Sequence, residues 1–150
     1  AHVYAENENK NVFAYVPQGN LILSGTIREN IAFYSPLDDE KIKEAAQIAD
    51  IYDFVETLPN GFDTVLGEKG LGLSEGQVQR IAIARAVYSG AEFLILDECT
   101  SALDEETEAQ VLKNLKNQKN KSCIIVSHKK AALDICEKLI KIENKQIFVS

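Results

Sequence analysis

The chain has 150 residues, about one ordinary domain and long enough to bury a real core. Its 16 basic and 23 acidic residues leave a net charge of −7. The one basic stretch, four lysines from Lys113 to Lys121, is interrupted by Asn and Gln, a balance that disfavours nonspecific nucleic-acid binding because that depends on neutralising phosphates.

Residues 1 to 11 are polar and turn-rich after a short strand expected at His2 to Tyr4. The start at Ala1 and the lack of any Met suggest a larger protein cut at this point. Val12 to Val16 forms a compact apolar strand that stops at Pro17, with Gln18 at its end in a Pro-Gln-Gly-Asn turn. Thr26-x-x-Glu29 is a capping box for a short helix. Ser35-Pro36-Leu37-Asp38 starts a second helix with Pro at its first position, and Ile42, Ala45, Ala46 and Ala49 share one of its faces. A short helix from Ile51 to Glu56 ends before Leu58-Pro59-Asn60-Gly61, and a glycine-rich loop runs from Gly61 to Gly72.

Leu73-Ser74-Glu75-Gly76-Gln77 then opens a long helix in which Val78, Ile81, Ala82 and Arg85 lie on one face. A small-residue opening can turn backbone amides toward an anion at the positive end of the helix dipole. Ser74-x-x-Gln77 equally fits a capping box that only satisfies the helix's own amides. Phe93 to Leu96 reads as a strand buried on both faces, ending in Asp97-Glu98. One carboxylate there suits holding Mg²⁺ through water and the other suits taking a proton from water, although two solvated surface charges would look the same. Asp104 can cap a helix running to Leu115, with Glu105, Glu106 and Glu108 in its first turn and Val111, Leu112 and Leu115 on its buried side. Cys123 to Val126 is a second strand expected to be buried on both faces, and it ends in Ser127-His128. A short helix over 129 to 136 and a hairpin of Lys138 to Ile142 with Gln146 to Val149, turning at Glu143-Asn144-Lys145, close the chain. Gln18, Asp97-Glu98 and His128 thus all stand at carboxyl ends of strands, where a parallel sheet would gather them on one edge.

Cys99, Cys123 and Cys136 are odd in number and show no CxxC spacing, which indicates neither a disulfide framework nor a zinc site and fits a reduced compartment. The apolar runs FLIL and CIIV fall far short of the roughly 20 residues that cross a bilayer, so a soluble chain is expected.

LSEGQ, the apolar strand ending in Asp-Glu about a helix later, and Thr100-Ser101-Ala102-Leu103-Asp104 resemble, in their order, the signature motif, Walker B and D-loop of the ATP-binding cassette (ABC) ATPases. The stretch from Leu21 to Ile31, which contains SGTIRENI, is similar to ABC exporters in particular. This resemblance implies an α/β fold, a partial P-loop NTPase (RecA-like) parallel sheet with an inserted α-helical subdomain. Residues 1–150 would be one partial ABC ATPase domain: 12–34 the Q-loop strand and following helix, 35–90 the helical subdomain with the signature motif, 91–150 the core with Walker B, D-loop and H-loop.

The same resemblance implies ATP and Mg²⁺ as ligands. Glu98 would be the general base, Asp97 and Gln18 would serve Mg²⁺, and Gln18 the attacking water as well. His128 would contact the γ-phosphate. Ser74, Gly76 and Gln77 would bind the γ-phosphate of ATP held by a second nucleotide-binding domain in a head-to-tail dimer, and Asp104 would link the two sites. Gly67-Glu68-Lys69-Gly70 is similar to the exporter X-loop, with Lys69 where Arg is usual. Glu68 would then sense an ABC transmembrane domain, whose cytoplasmic helix the helical subdomain receives at the cytoplasmic face of the cell membrane. Glu75 stands where Gly is common, Val78 where a polar residue is common and Cys99 where Ala or Pro is usual; a small buried residue would explain Cys99, and Glu75 should turn away from phosphate.

A P-loop, GxxxxGK[ST], is missing: the only GxxxxG, Gly67 to Gly72, is followed by Leu73-Ser74. The fragment itself is therefore expected to lack ATPase activity, and its sheet to keep an uncovered surface that favours marginal stability or self-association. Two other readings stay open, a non-catalytic interaction fragment and a soluble ABC-type ATPase of DNA maintenance or translation.

Overall fold

The computed structural model describes residues 12–19, 22–67, 72–143 and 146–150. The strand expected at His2 to Tyr4, the Glu68-Lys69-Gly70 part of the glycine-rich loop and the hairpin tip Asn144-Lys145 lie outside the described residues.

Strand β1 (Phe13–Val16) stops at Pro17, which has no amide to extend a ladder. A two-residue strand β2 (Gly25–Thr26) leads into α1 (Ile27–Ala32), whose capping box is complete: Thr26 Oγ1 accepts from the Glu29 amide and the Glu29 carboxylate accepts from the Thr26 amide at 2.7 Å. Helix α2 (Asp39–Ile48) starts later than its proline suggested. Asp38 is the N-cap and accepts from the Lys41 amide, a stronger start signal than proline because it satisfies an orphan donor, so Pro36 lies in the approach to the helix. Ile42, Ala45, Ala46 and Ala49 are all buried, as their spacing required. Helix α3 (Tyr52–Glu56), a 3₁₀ turn at Gly61–Asp63 and β3 (Val65–Leu66), antiparallel to β2, complete the first half. Then follow α4 (Glu75–Tyr88), β4 (Phe93–Asp97), α5 (Glu105–Lys116), β5 (Ser122–Val126), α6 (Lys130–Ile135) and the hairpin β6 (Ile140–Glu143) with β7 (Gln146–Val149).

Helix α4 is the centre of the packing, against α1, α2 and β1. It is buried around most of its circumference, Ile81 and Ile83 completely, so the single face of Val78, Ile81, Ala82 and Arg85 was too narrow a reading; an apolar helix without a polar side is a core helix. Arg85 is only half buried, donates to the Asn30 carbonyl at 2.7 Å and lies 4.6 Å over the Phe33 ring, tying α4 to α1.

The larger sheet is wholly parallel, in the order β1-β4-β5. Val16, Leu94 and Leu96 point into the core, with Ala14, Cys123 and Ile125 packed against it. The opposite face is open: Phe13 is 62% exposed, Ile124 55% and Val126 50%, and Phe93 stacks on Phe13 with ring centroids 5.3 Å apart. The expectation that β4 and β5 are buried on both faces is therefore wrong for this chain, because among the described residues the core lies on one side of the sheet only.

Cys99, directly after β4, is 4% exposed and fills a small buried position, and burial pushes its thiol up to about 12. The thiolate is the nucleophile, so Cys99 is expected to resist Ellman's reagent at pH 8 until the chain is unfolded in guanidinium. Peptide mapping of the labelled cysteines checks this; rapid native labelling of Cys99 would contradict it. The raised value favours the neutral thiol in the fold, so its contribution to stability is full below the ordinary cysteine range near pH ~8.5 and is lost as pH rises toward 12.

Candidate functional site

Register places the candidate residues. Val16 pairs with Leu96, and Asp97 with Val126, so the residues that follow leave the sheet at one edge: Gln18 after β1, Asp97-Glu98 at the end of β4, Ser127-His128 after β5. Asp97 is half buried, and its Oδ2 accepts a hydrogen bond from the Tyr15 hydroxyl at 3.0 Å. That carboxylate in turn raises the tyrosine's pKa, chiefly through the hydrogen bond. Glu98 has φ +50, a left-handed conformation that a non-glycine residue rarely adopts. It is held there by its amide on the Val126 carbonyl (2.9 Å) and by its carbonyl accepting from the Ser101 amide (3.2 Å). Glu98 Oε1 lies 3.1 Å from Nδ1 of His128, whose ring is largely exposed. With Nδ1 turned to the Glu98 carboxylate, Nε2 is the ring nitrogen that this contact leaves unengaged. Gln18 is exposed at the same edge.

The opening of α4 holds the second group. Ser74 Oγ accepts from the Gln77 amide at 3.2 Å and Gln77 Oε1 from the Ser74 amide at 2.8 Å, so the capping box is real. It uses both side chains only as acceptors, leaving the Ser74 hydroxyl proton and the Gln77 side-chain amide protons available to an anion. Glu75 is exposed beside them. Gly76 is helical and sits against the segment after β4: a Cβ on it would lie 3.1 Å from the Ala102 carbonyl oxygen. Asp104 caps α5, accepting from the Thr107 amide at 2.9 Å and the Thr107 hydroxyl at 2.8 Å, and these bonds hold its pKa below the usual carboxylate range.

Three contacts escaped the sequence reading. Gln79, buried in α4, donates to Ser101 Oγ and accepts from the Ala102 amide, both at 3.0 Å. Glu108 was read as one of three first-turn charges; Glu105 and Glu106 are exposed, but Glu108 is 1% exposed and bonded to Thr100 and Lys129. Its spacing was the available signal, since 108, 111, 112 and 115 form one helical face. Tyr15 on Asp97 had no local signal at all.

Among the described residues no group of three or more His, Cys, Asp and Glu side chains is arranged to hold a metal ion. Nucleotide-bound Mg²⁺ asks for less, one or two protein carboxylates with phosphates and waters completing its shell, and Asp97 fits that need. A groove of about 380 Å³ lies elsewhere, lined by Leu23, Phe33, Tyr34 and Leu37 among others, with Phe33 and Tyr34 both left-handed. Among the described residues no helix is long and apolar enough to cross a membrane.

A parallel sheet with these polar residues along the carboxyl ends of its strands defines the class, an α/β nucleotide-binding domain. A family model described as ABC transporter matches residues 3–101. An ATP-dependent lipid A-core flippase of Desulfotalea psychrophila is 42% identical over 143 residues, 94% of this chain and 25% of that protein. A putative multidrug export ATP-binding/permease protein of Staphylococcus aureus is 41% identical over 140 residues, 92% of this chain and 24% of that one. The solved structure of a bacterial Atm1-family ABC exporter with ATP bound superposes with a TM-score of 0.84 at 32% identity, over 91% of this chain and 24% of its own. The chain belongs to the ABC transporter family and is of the exporter-type nucleotide-binding domain. It spans about a quarter of the length of these relatives.

Proposed function

We propose that this chain is the later part of the ATPase domain of a membrane exporter, working at the cytoplasmic face of the membrane and closing head to tail with a second such domain around ATP. The observation that carries the reading is the Glu98–His128 pair, 3.1 Å apart at the strand edge that also bears Asp97 and Gln18.

Glu98, beside Nδ1 of His128, takes a proton from the water whose oxygen bonds to the γ-phosphorus as the bond from that phosphorus to ADP breaks. His128, with Nδ1 toward Glu98, bonds an oxygen of the transferring phosphate by donating an N–H from Nε2, since phosphate oxygens only accept. Asp97 and Gln18 would hold Mg²⁺, which when bound would neutralise charge on the phosphates. Ser74, Gly76 and Gln77 present a hydroxyl, a backbone amide and a side-chain amide to the γ-phosphate of ATP carried by the other domain, at the positive end of the 14-residue α4. These donors are set in place before the nucleotide arrives, which is what makes them effective. Asp104, at the end of the turn that touches Gly76, connects one site to the other.

The groove at Leu23, Phe33, Tyr34 and Leu37 is proposed to receive a cytoplasmic helix of the transmembrane domain. Its apolar lining and the 90% exposure of Tyr34 suit an amphipathic helix laid across it.

Within the 150 residues no P-loop cradles the β- and γ-phosphates, so the chain alone is proposed to be inactive. Calorimetric titration with Mg²⁺-ATP tests this. The expected result is no binding heat for the 150-residue chain and saturable binding for a longer version of the protein that includes a P-loop. Tight binding by the short chain would mean that other groups hold the phosphates and would overturn the assignment.

A further inference from the structure

We propose that Lys129 is a positioning residue for ATP hydrolysis, a strut that fixes the turn following Glu98 to the loop that carries His128; this rests on the ATPase reading above.

The Lys129 ammonium has three donors and meets three acceptors. It donates to the Thr100 carbonyl at 2.9 Å and to the Leu103 carbonyl at 2.8 Å, and it lies 3.4 Å from Oε2 of Glu108. The other Glu108 oxygen accepts from the Thr100 hydroxyl at 2.6 Å. With Glu108 1% exposed and the Lys129 side chain 25% exposed, this is not a solvated surface pair. A carboxylate so buried has to be paired and hydrogen-bonded, and the two groups that do so here come from the turn and from the His128 loop.

The strut spans the two loops that must stay in register. Strand pairing ends at Asp97 with Val126, and the Glu98 amide on the Val126 carbonyl is the last backbone bond between them. Past that point, among the described residues, the two loops are joined by the bonds of Lys129 and by the Glu98–His128 contact itself. Lys129 also turns its own amide back to Ser127 Oγ at 3.1 Å, which shapes the loop on the other side of His128. The far side of the turn is gripped by Gln79 of α4, through Ser101 and Ala102. Lys129 therefore closes a path from the opening of α4 through the turn to His128. Its loss lets the imidazole drift from the Glu98 carboxylate, while Asp97, Gln18, Ser74, Gly76 and Gln77, which Lys129 does not bond, keep their places.

The test is ATP turnover by the full-length transporter in lipid. Lys129→Met is expected to lower kcat about tenfold or more, with KM for ATP kept within about twofold because nucleotide binding is not removed. Lys129→Arg should restore kcat, since a guanidinium can reach two carbonyls and a carboxylate together. Lys129→Met combined with Glu108→Leu removes the stranded buried charge and protects folding, yet should stay slow because the strut is still missing. Wild-type kcat in Lys129→Met, or recovery of kcat in the double variant, would overturn the proposal. A wild-type protein that hydrolyses no ATP would instead sink the ATPase reading on which it rests.

Discussion

Glu98→Gln in the full-length protein is expected to slow ATP hydrolysis about a thousandfold while ATP binding persists. Glutamine has the shape of the carboxylate and can keep a hydrogen bond with the His128 ring, 3.1 Å away. What places residue 98 is backbone: its amide on the Val126 carbonyl at 2.9 Å, its carbonyl under the Ser101 amide at 3.2 Å, and a φ of +50 that both bonds enforce. None of these needs a charge, so Asp97 and the strand edge should be undisturbed. A non-glycine residue held in the left-handed region is strained, and glutamine bears that strain no worse than glutamate. The substitution therefore isolates proton acceptance from water. Phosphate release measured beside the binding of a fluorescent ATP analogue reads both quantities. Sustained turnover would remove Glu98 from its assigned role, and a parallel loss of nucleotide binding would make it a supporting residue of the site.

The gathering of Gln18, Asp97, Glu98 and His128 was legible in the sequence because each follows a short apolar run, and parallel strands end at the same edge. The two capping boxes were legible for a different reason: Thr26 with Glu29, and Ser74 with Gln77, each need only neighbours within one helical turn. Burial of β4 and β5 on both faces was misread, since an apolar run reports that a strand avoids water and not whether a second layer covers it. Phe13, Ile124 and Val126 remain open on the face that the core does not reach. The contacts that shape the candidate site are the least legible of all. Lys129 on Thr100, Leu103 and Glu108, and Tyr15 on Asp97, join residues far apart in the chain whose types are common on any surface. Only Glu108 carried a trace, as an acid on the helical face of Val111, Leu112 and Leu115.

Gly76→Val is expected to lower ATP turnover about a hundredfold in the full-length protein, and Gly76→Ala by much less. Gly76 is an ordinary helical position, so its lack of a side chain answers a close approach and not a need for unusual backbone. A Cβ there would lie 3.1 Å from the Ala102 carbonyl oxygen and 3.2 Å from Cδ2 of Leu103. The leucine can turn aside, but the carbonyl belongs to a turn held in place by Gln79 on Ser101 and Ala102 and by Lys129 on Thr100 and Leu103. The displacement therefore falls on the other partner, the first turn of α4, where Ser74 and Gln77 hold each other in the capping box. A single methyl asks for a few tenths of an ångström, whereas the branched carbons of valine ask for more. Turnover should thus decline in the order Gly, Ala, Val, with the melting temperature following less steeply because the core beneath Ile81 and Ile83 is untouched. Equal turnover in all three would mean that the helix opening and the turn move independently, and the route from Ser74 through Gly76 to the Glu98 side of the site would not exist.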